Sequence, residues 1–238
     1  MSKSLWQGTK HFAPGETHVR ARRIVRHTGG IIRGKFPSRK NQRMVHYEGL
    51  LERDAISLFE CSPRIARFRE QPLTISYPDG ARRRRYTPDF ELVLLSGEVM
   101  LIEVKPSRAL EDKDTRHKLE CVNAYLSSNH LHFVVLTEQV IRQQPRLSNL
   151  DWIYQRLPQT VPTELLLTTC LERYAGEFPT SIKRAIEILS GSGGDPFSGL
   201  WVGHLQADFD SPMNLNSIVQ IVKDEHHDWF RISKEHDF

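Results

Sequence analysis

YTPDFELVLLSGEVMLIEVKP, residues 86–106, holds two apolar runs around a Ser96-Gly97-Glu98 break. Residues 86–95 and 99–105 are rich in Val, Leu, Ile and aromatics, and the break carries turn residues, so the stretch reads as a β-hairpin. Both faces are largely apolar. Such a hairpin belongs in the middle of a layered fold rather than at a wet edge. Of its five charged residues, three stand out: Asp89 after Pro88, then Glu103 and Lys105 two apart. Residues two apart on a strand share a face, about 6.5 Å from each other. Asp89 joins them only if the strand parity allows. A two-residue connection sets Asp89 opposite Val104 and turns it to the wrong face. The three-residue connection Ser96-Gly97-Glu98 sets Asp89 opposite Lys105 with Glu103 diagonal on the same side. We therefore expect an odd-length connection.

Outward from the hairpin, residues 44–60 carry Tyr47, Leu51, Ala55 and Leu58 at helical spacing, with Pro63 beyond. Residues 65–68 and 73–77 read as short strands, and Asp79-Gly80 as a turn. After Pro106, residues 110–126 read as a helix with an acidic start at Glu111-Asp112. Residues 131–136 read as a strand, so strand, helix and strand form a crossover with parallel pairing. Short helices near Glu138 and Leu150 follow. Residues 158–162 read as a linker, and residues 163–174 and 180–189 as two helices. Residues 200–208 and 218–223 are strands or short helices. The expected class is α/β: a mixed sheet flanked by helices, a basic arm at 1–42, a catalytic domain at 43–158, and a small, mainly helical, winged-helix-like domain at 162–238.

Composition narrows the chemistry. The chain has 238 residues, 39% of them hydrophobic, with 33 Lys and Arg against 29 Asp and Glu. The charge is uneven. Up to Arg43 there are eleven basic residues and one acid, Glu16, whereas residues 206–238 hold seven acids and three bases. A basic arm suits a polyanion such as nucleic acid. Lys35, Arg39, Lys40 and Arg43 are its candidate contacts. The acidic end suits a basic protein partner. Cys61, Cys121 and Cys170 are three and far apart, which fits neither a zinc pattern nor a disulfide framework. Each is expected to be a small buried residue in a reducing compartment. No signal peptide and no membrane-spanning run stand out, so a cytoplasmic, nucleoid-associated location is expected.

Carboxylates beside a lysine suit metal-dependent hydrolysis of a phosphodiester. Hard cations such as Mg²⁺ take a few carboxylate oxygens and acidify bound water, and a lysine offsets charge on the phosphate. The competing view of Glu-x-Lys on a strand is a solvated pair. Two features favour catalysis. The pair interrupts an apolar strand, where charge is costly. Arg82, Arg83, Arg84 and Arg85 lie just upstream, suited to a DNA backbone, although such a run is also found as a solvated loop. A further carboxylate is expected from the helix at 44–60. Glu48 and Glu52 lie one turn apart there, and spacing does not choose between them.

HYEGLLERDAISLFECSPRIARFREQ (residues 46–71), YTPDF (86–90) and IEVKP (102–106) together resemble TnsA, the endonuclease subunit of Tn7-like transposases. That resemblance implies a restriction-endonuclease-like fold. It places the family's glutamate at Glu52, through its distance from Arg69-Glu70-Gln71, with Gln71 in support. It matches Asp89 and Lys105 to the family's aspartate and lysine. Glu103 stands where some members carry glutamine, a departure toward the usual restriction-enzyme pattern. The implied metal is Mg²⁺, with Mn²⁺ able to substitute, held by Asp89, Glu103, Glu52 and the Val104 carbonyl. The implied reaction is cleavage of the non-transferred strand at the 5′ ends of a transposon. The implied partners are double-stranded transposon ends, a TnsB-like DDE transposase and a TnsC-like AAA+ ATPase. The alternatives are a stand-alone restriction-like or junction-resolving nuclease, and a non-catalytic DNA-binding assembly module.

Overall fold

The structure is a computed structural model that describes residues 18–21, 32–223 and 229–238. The described residues form two compact units. One takes the residues up to Glu60 with Ile65–Gln139; the other takes Cys61–Arg64 with Val140–Phe238.

In the first unit the chain runs through β1 (Gly34–Ser38), β2 (Arg43–Tyr47), α1 (Leu50–Cys61), β3 (Ile65–Glu70), β4 (Ile75–Asp79), β5 (Arg82–Tyr86), β6 (Phe90–Leu94), β7 (Val99–Val104), α2 (Lys113–Ser127) and β8 (His132–Leu136). Four strands form a mixed sheet in the order β3-β6-β7-β8. β6 and β7 lie in its middle, antiparallel to each other, and all of β6 is buried, as its two-faced apolar run demands. β7 pairs with β8 in parallel, and α2 makes the crossover. Asp112 caps α2 by accepting from the Thr115 amide at 2.8 Å. Two hairpins, β1–β2 and β4–β5, stand apart from this sheet as two-stranded ribbons.

The sheet is covered on both faces. Phe90 and Ile102 are paired, so they share a face, and Phe59 of α1 meets Phe90 and Phe68 edge-on at 5.4 and 5.8 Å. Truncating Phe59, which is fully buried, to alanine costs about 3–5 kcal/mol. Leu101 points the other way. There it joins Leu119, Val122 and Leu126 of α2 with Tyr77 and Tyr86 of the β4–β5 ribbon. Asp89, Glu103 and Lys105 have the parity of this second face.

Two expectations on the first unit are corrected. The helix expected from residue 44 starts at Leu50, because 43–47 pair with 34–38 as a hairpin. Within that ribbon Val45 is buried while Met44 is exposed, a period of two rather than 3.6. Residues 34–38, expected as part of the basic arm at 1–42, form the strand β1; most of the arm falls outside the described residues.

In the second unit, α3 (Glu138–Ile141) leads into α4 (Arg146–Tyr154), α5 (Glu164–Arg173), β9 (Thr180–Ser181), α6 (Ile182–Ser190), α7 (Pro196–Val202), β10 (Leu205–Ala207) and β11 (Ile218–Ile221). The three strands form an antiparallel sheet in the order β10-β11-β9. Ile153 and Leu157 pack with Leu171, Ile182, Leu189, Leu200 and Val219. The contacts therefore divide the chain at Gln139, ahead of the Pro158–Pro162 stretch, and α4 goes with the later helices. No helix among the described residues is long and apolar enough to cross a membrane.

Candidate active site

The β6–β7 hairpin closes between Leu94 and Glu98. The Leu94 amide donates to the Glu98 carbonyl at 2.9 Å, and the Gly97 amide to the Leu94 carbonyl at 3.0 Å. Gly97 has φ +85°, the left-handed region that glycine enters freely. The connection is odd, as the parity argument requires, but it is Leu95-Ser96-Gly97 rather than Ser96-Gly97-Glu98. The register Phe90↔Ile102 continues to place Asp89 opposite Glu103, not opposite Lys105. The carboxylates are thus direct cross-strand neighbours, and the lysine is the diagonal member.

Asp89 is pinned twice. Its Oδ2 accepts from the Val104 amide at 2.9 Å, and its carbonyl accepts from the Gln71 amide at 2.7 Å. Glu103 is 3% exposed. Its Oε1 lies 2.7 Å from Lys105 Nζ, while Oε2 is buried with no hydrogen-bond partner. Lys105 Nζ also lies 3.5 Å from the Val104 carbonyl. Glu52 sits in the first turn of α1, where its Oε2 accepts from the Glu48 amide at 2.8 Å. Glu48 in turn accepts from Gln71 Nε2 at 3.1 Å. The structure therefore brings Glu52, Asp89, Glu103 and Lys105 within electrostatic reach of one another, and Gln71 supports Glu48 and Asp89.

The electrostatics are those of crowded negative charge. Burial, then Glu103, push the Asp89 carboxyl well above its ordinary value; Lys105 opposes this and Glu52 adds to it. Burial likewise raises Glu52, with Glu48 and Glu103 adding to the rise and Lys105 opposing it. Burial disfavours the charge on Lys105, but Glu103, Asp89 and Glu52 outweigh it and hold the ammonium above its ordinary value. A cluster of buried carboxylates, with Glu103 Oε2 outside any hydrogen bond, is a donor set suited to a hard divalent cation. Asp89, Glu103 and Glu52 fit that group.

One neighbour was not singled out from sequence. Tyr86, at the end of β5, is buried with its hydroxyl facing Glu103 short of good hydrogen-bond geometry, and burial, then the charge of Glu103 and its pull on that hydroxyl, raise its pKa. It reads as an ordinary strand aromatic, so nothing in its own position signals the site. The cations divide unequally. Arg82, Arg83, Arg84 and Arg85 are all exposed on β5, so the run is a strand and not a loop. Lys35 is exposed on β1. Arg43 makes a fork to Glu70, with Nη1–Oε1 3.1 Å and Nη2–Oε2 2.7 Å. Lys40 Nζ donates to the Phe59 and Ile65 carbonyls at 3.1 and 2.7 Å. The Arg39 and Lys40 amides donate to Glu60, which helps to fix the β1–β2 turn. The expectation of three buried cysteines is corrected: Cys61 and Cys170 are buried, and Cys121 is half-exposed beside His117.

Comparison with curated proteins gives no match. Residues 62–138 match the family model described as TnsA-like endonuclease N terminal. The match covers about a third of the chain and includes Asp89, Glu103 and Lys105, while Glu52 lies ahead of it. By that match the stretch 62–138 of this chain is similar to the N-terminal part of TnsA-like endonucleases.

Proposed function

We propose that the protein is a divalent-metal-dependent DNA endonuclease that cuts the non-transferred strand at the 5′ ends of a transposon. The observation that carries this is the Asp89–Glu103 pair, with one buried carboxylate oxygen unpartnered and Lys105 fixed beside it. Asp89, Glu103 and Glu52, with the Val104 carbonyl, would hold Mg²⁺, or Mn²⁺ in its place. When bound, the cation supplies Lewis acidity toward the phosphate and acidifies a water. Glu103 holds the ammonium of Lys105 in place. Because its pKa is raised, Lys105 stays protonated and serves as a donor to the attacking water and the phosphoryl oxygens, not as a base. The Val104 amide keeps Asp89 turned into the site. Arg83 and Arg85 on the outer face of β5, with Lys35 exposed on β1, would supply the charge that meets the DNA backbone, while Arg84, Lys40 and Arg43 are engaged by Asp79, by the Phe59 and Ile65 carbonyls and by Glu70.

The remaining parts of the proposal concern assembly. Helices α5, α6 and α7 with the three-stranded sheet are read as a winged-helix-like module. With the acidic end of the chain, that module would meet protein partners: a TnsB-like DDE transposase and a TnsC-like AAA+ ATPase. The test uses a transposon-end duplex labelled on each strand in turn, with the partner transposase and Mg²⁺. Both strands should be cut, and Asp89→Asn should stop the cut on the non-transferred strand while the partner still processes the other. Cleavage of the transferred strand by this chain, or full activity of Asp89→Asn, overturns the reading. Strong, sequence-specific cutting by the isolated chain would favour a stand-alone nuclease.

A further inference from the structure

On the far end of the β4–β5 ribbon from Tyr86, three metal-ligating side chains converge outside the carboxylate centre. Asp79 ends β4, just before Gly80 turns the chain at φ +58°. His117 and Cys121 stand one turn apart on α2, so they project from one face. His117 Nε2 lies 2.8 Å from Asp79 Oδ1 and 3.6 Å from Cys121 Sγ, and the three donor atoms all fall within 4.8 Å. The second carboxylate oxygen of Asp79 is paired with Arg84.

We propose that Asp79, His117 and Cys121 form a binding site for a borderline-soft divalent cation of the zinc class, which ties the arginine-bearing ribbon to α2. The donor chemistry selects the cation. A thiolate and an imidazole suit zinc-like ions and are poor ligands for Mg²⁺, which belongs with the oxygens of Asp89 and Glu103. The geometry agrees. A tetrahedral ion about 2.05 Å from nitrogen and 2.3 Å from sulfur sets those two atoms about 3.6 Å apart, the separation of His117 from Cys121. Nitrogen and oxygen ligands of one such ion stand about 3.4 Å apart. The Asp79–His117 hydrogen bond therefore opens by roughly half an ångström as the ion replaces it. The His117 ring has room to do so, with its side chain 62% exposed. Asp79 and the Cys121 thiolate together neutralise a divalent charge. Three protein ligands leave one position for water, an arrangement weaker than a closed four-ligand site. The Arg84 guanidinium on the free oxygen of Asp79 orients that ligand, in the manner of outer partners at metal sites. Two strand residues and two helix residues then form one unit, and the ion fixes where the arginine strand lies.

The test is a Co²⁺ titration of the reduced full-length protein in excess Mg²⁺, read by thiolate-to-cobalt charge-transfer absorption. This signal requires a sulfur ligand, so the oxygen-lined centre is silent. The absorption should saturate at one equivalent and disappear on adding Zn²⁺. It should be absent in Cys121→Ser and retained in Cys170→Ser. His117→Asn should weaken Co²⁺ binding by more than about tenfold; at this exposed position it also carries the test if Cys121→Ser fails to fold. No charge-transfer band in the wild-type protein, a band that survives in Cys121→Ser, or unchanged affinity in His117→Asn overturns the proposal.

Discussion

The strand geometry of β5 splits four successive arginines into two pairs with different work. The register Pro78↔Arg83 and Ser76↔Arg85 puts Arg83 and Arg85 on one face, while Arg82 and Arg84 share the face of Tyr77 and Tyr86, which packs on α2. Arg84 is further engaged by Asp79. The outer pair is therefore the one placed to touch phosphates. Each phosphate contact adds about 0.9 to the steepness of log affinity against log salt. The double variant Arg83→Gln/Arg85→Gln should flatten that slope by about 1.8, while Arg84→Gln changes it by less than about 0.5. Over a fourfold rise in salt, the wild-type protein should lose about tenfold more affinity than the double variant. Fluorescence anisotropy with a labelled duplex in EDTA, across a KCl series, reads the slope without cleavage. An unchanged slope in the double variant makes the run a solvated ribbon, and an equal loss in Arg84→Gln refutes the division by face.

Other outcomes follow from the buried acids. Asp89→Asn should abolish cleavage yet raise the Tm of the protein in EDTA by about 3 °C, the equivalent of about 1 kcal/mol. Because the folded Asp89 pKa is raised, that gain is full above the raised value and vanishes below the ordinary carboxylate range; excess Mg²⁺ should reverse the order by stabilising only the wild type. A lower Tm for the variant in EDTA refutes the crowding argument. Glu52→Gln should lower cleavage by about 100-fold and Glu48→Gln by less than about tenfold, and strand-cleavage rates in the reverse order would move the metal-binding role to Glu48. Glu70 is held below its ordinary value: burial opposes its charge, but the Arg43 fork prevails. Glu70→Gln should therefore cost about 1.5–3 kcal/mol at neutral pH. That deficit in urea unfolding should persist above the ordinary carboxylate pKa and fade as pH falls through the lowered folded value; a deficit constant down to pH 2 removes the charge argument.

The central hairpin and the crossover through α2 are legible because their signals are long and local. Apolar runs on both faces of β6 and β7 cannot sit at a wet edge, and Asp112 marks where α2 starts. Parity at Asp89 was legible too, because it needs only an odd connection. The residue opposite Asp89 was not. The turn sets its own register by giving Gly97 the left-handed position, so pairing slips by two and Glu103 replaces Lys105 as the facing residue. Four identical arginines carry no period of their own, and only the partner strand β4 shows which of them face α2. Tyr86 and the Asp79–His117–Cys121 group depend on ribbon and helix meeting in space, which no single stretch of sequence encodes.

What separates the candidate centre from the rest of its unit is how its charges are closed. Glu60 accepts from Ser38 Oγ and from the Arg39 and Lys40 amides. Glu70 is closed by the Arg43 fork, and Glu91 by Arg69, whose Nη2 donates at 3.0 Å while Nε stays 2.8 Å away as an ion pair without hydrogen-bond geometry. Each of these buried acids has a dedicated partner, the usual condition for burying a carboxylate. Asp89, Glu103 and Glu52 share the single ammonium of Lys105. Ionised together, they leave two negative charges over, the charge that one divalent cation neutralises. Glu60, Glu70 and Glu91 are each met by cations or amides of their own, whereas Glu103 Oε2 has no such cation, and the proposed ion would complete the charge balance of that site. The carboxylates would otherwise repel, and their repulsion is what gives the cation its hold.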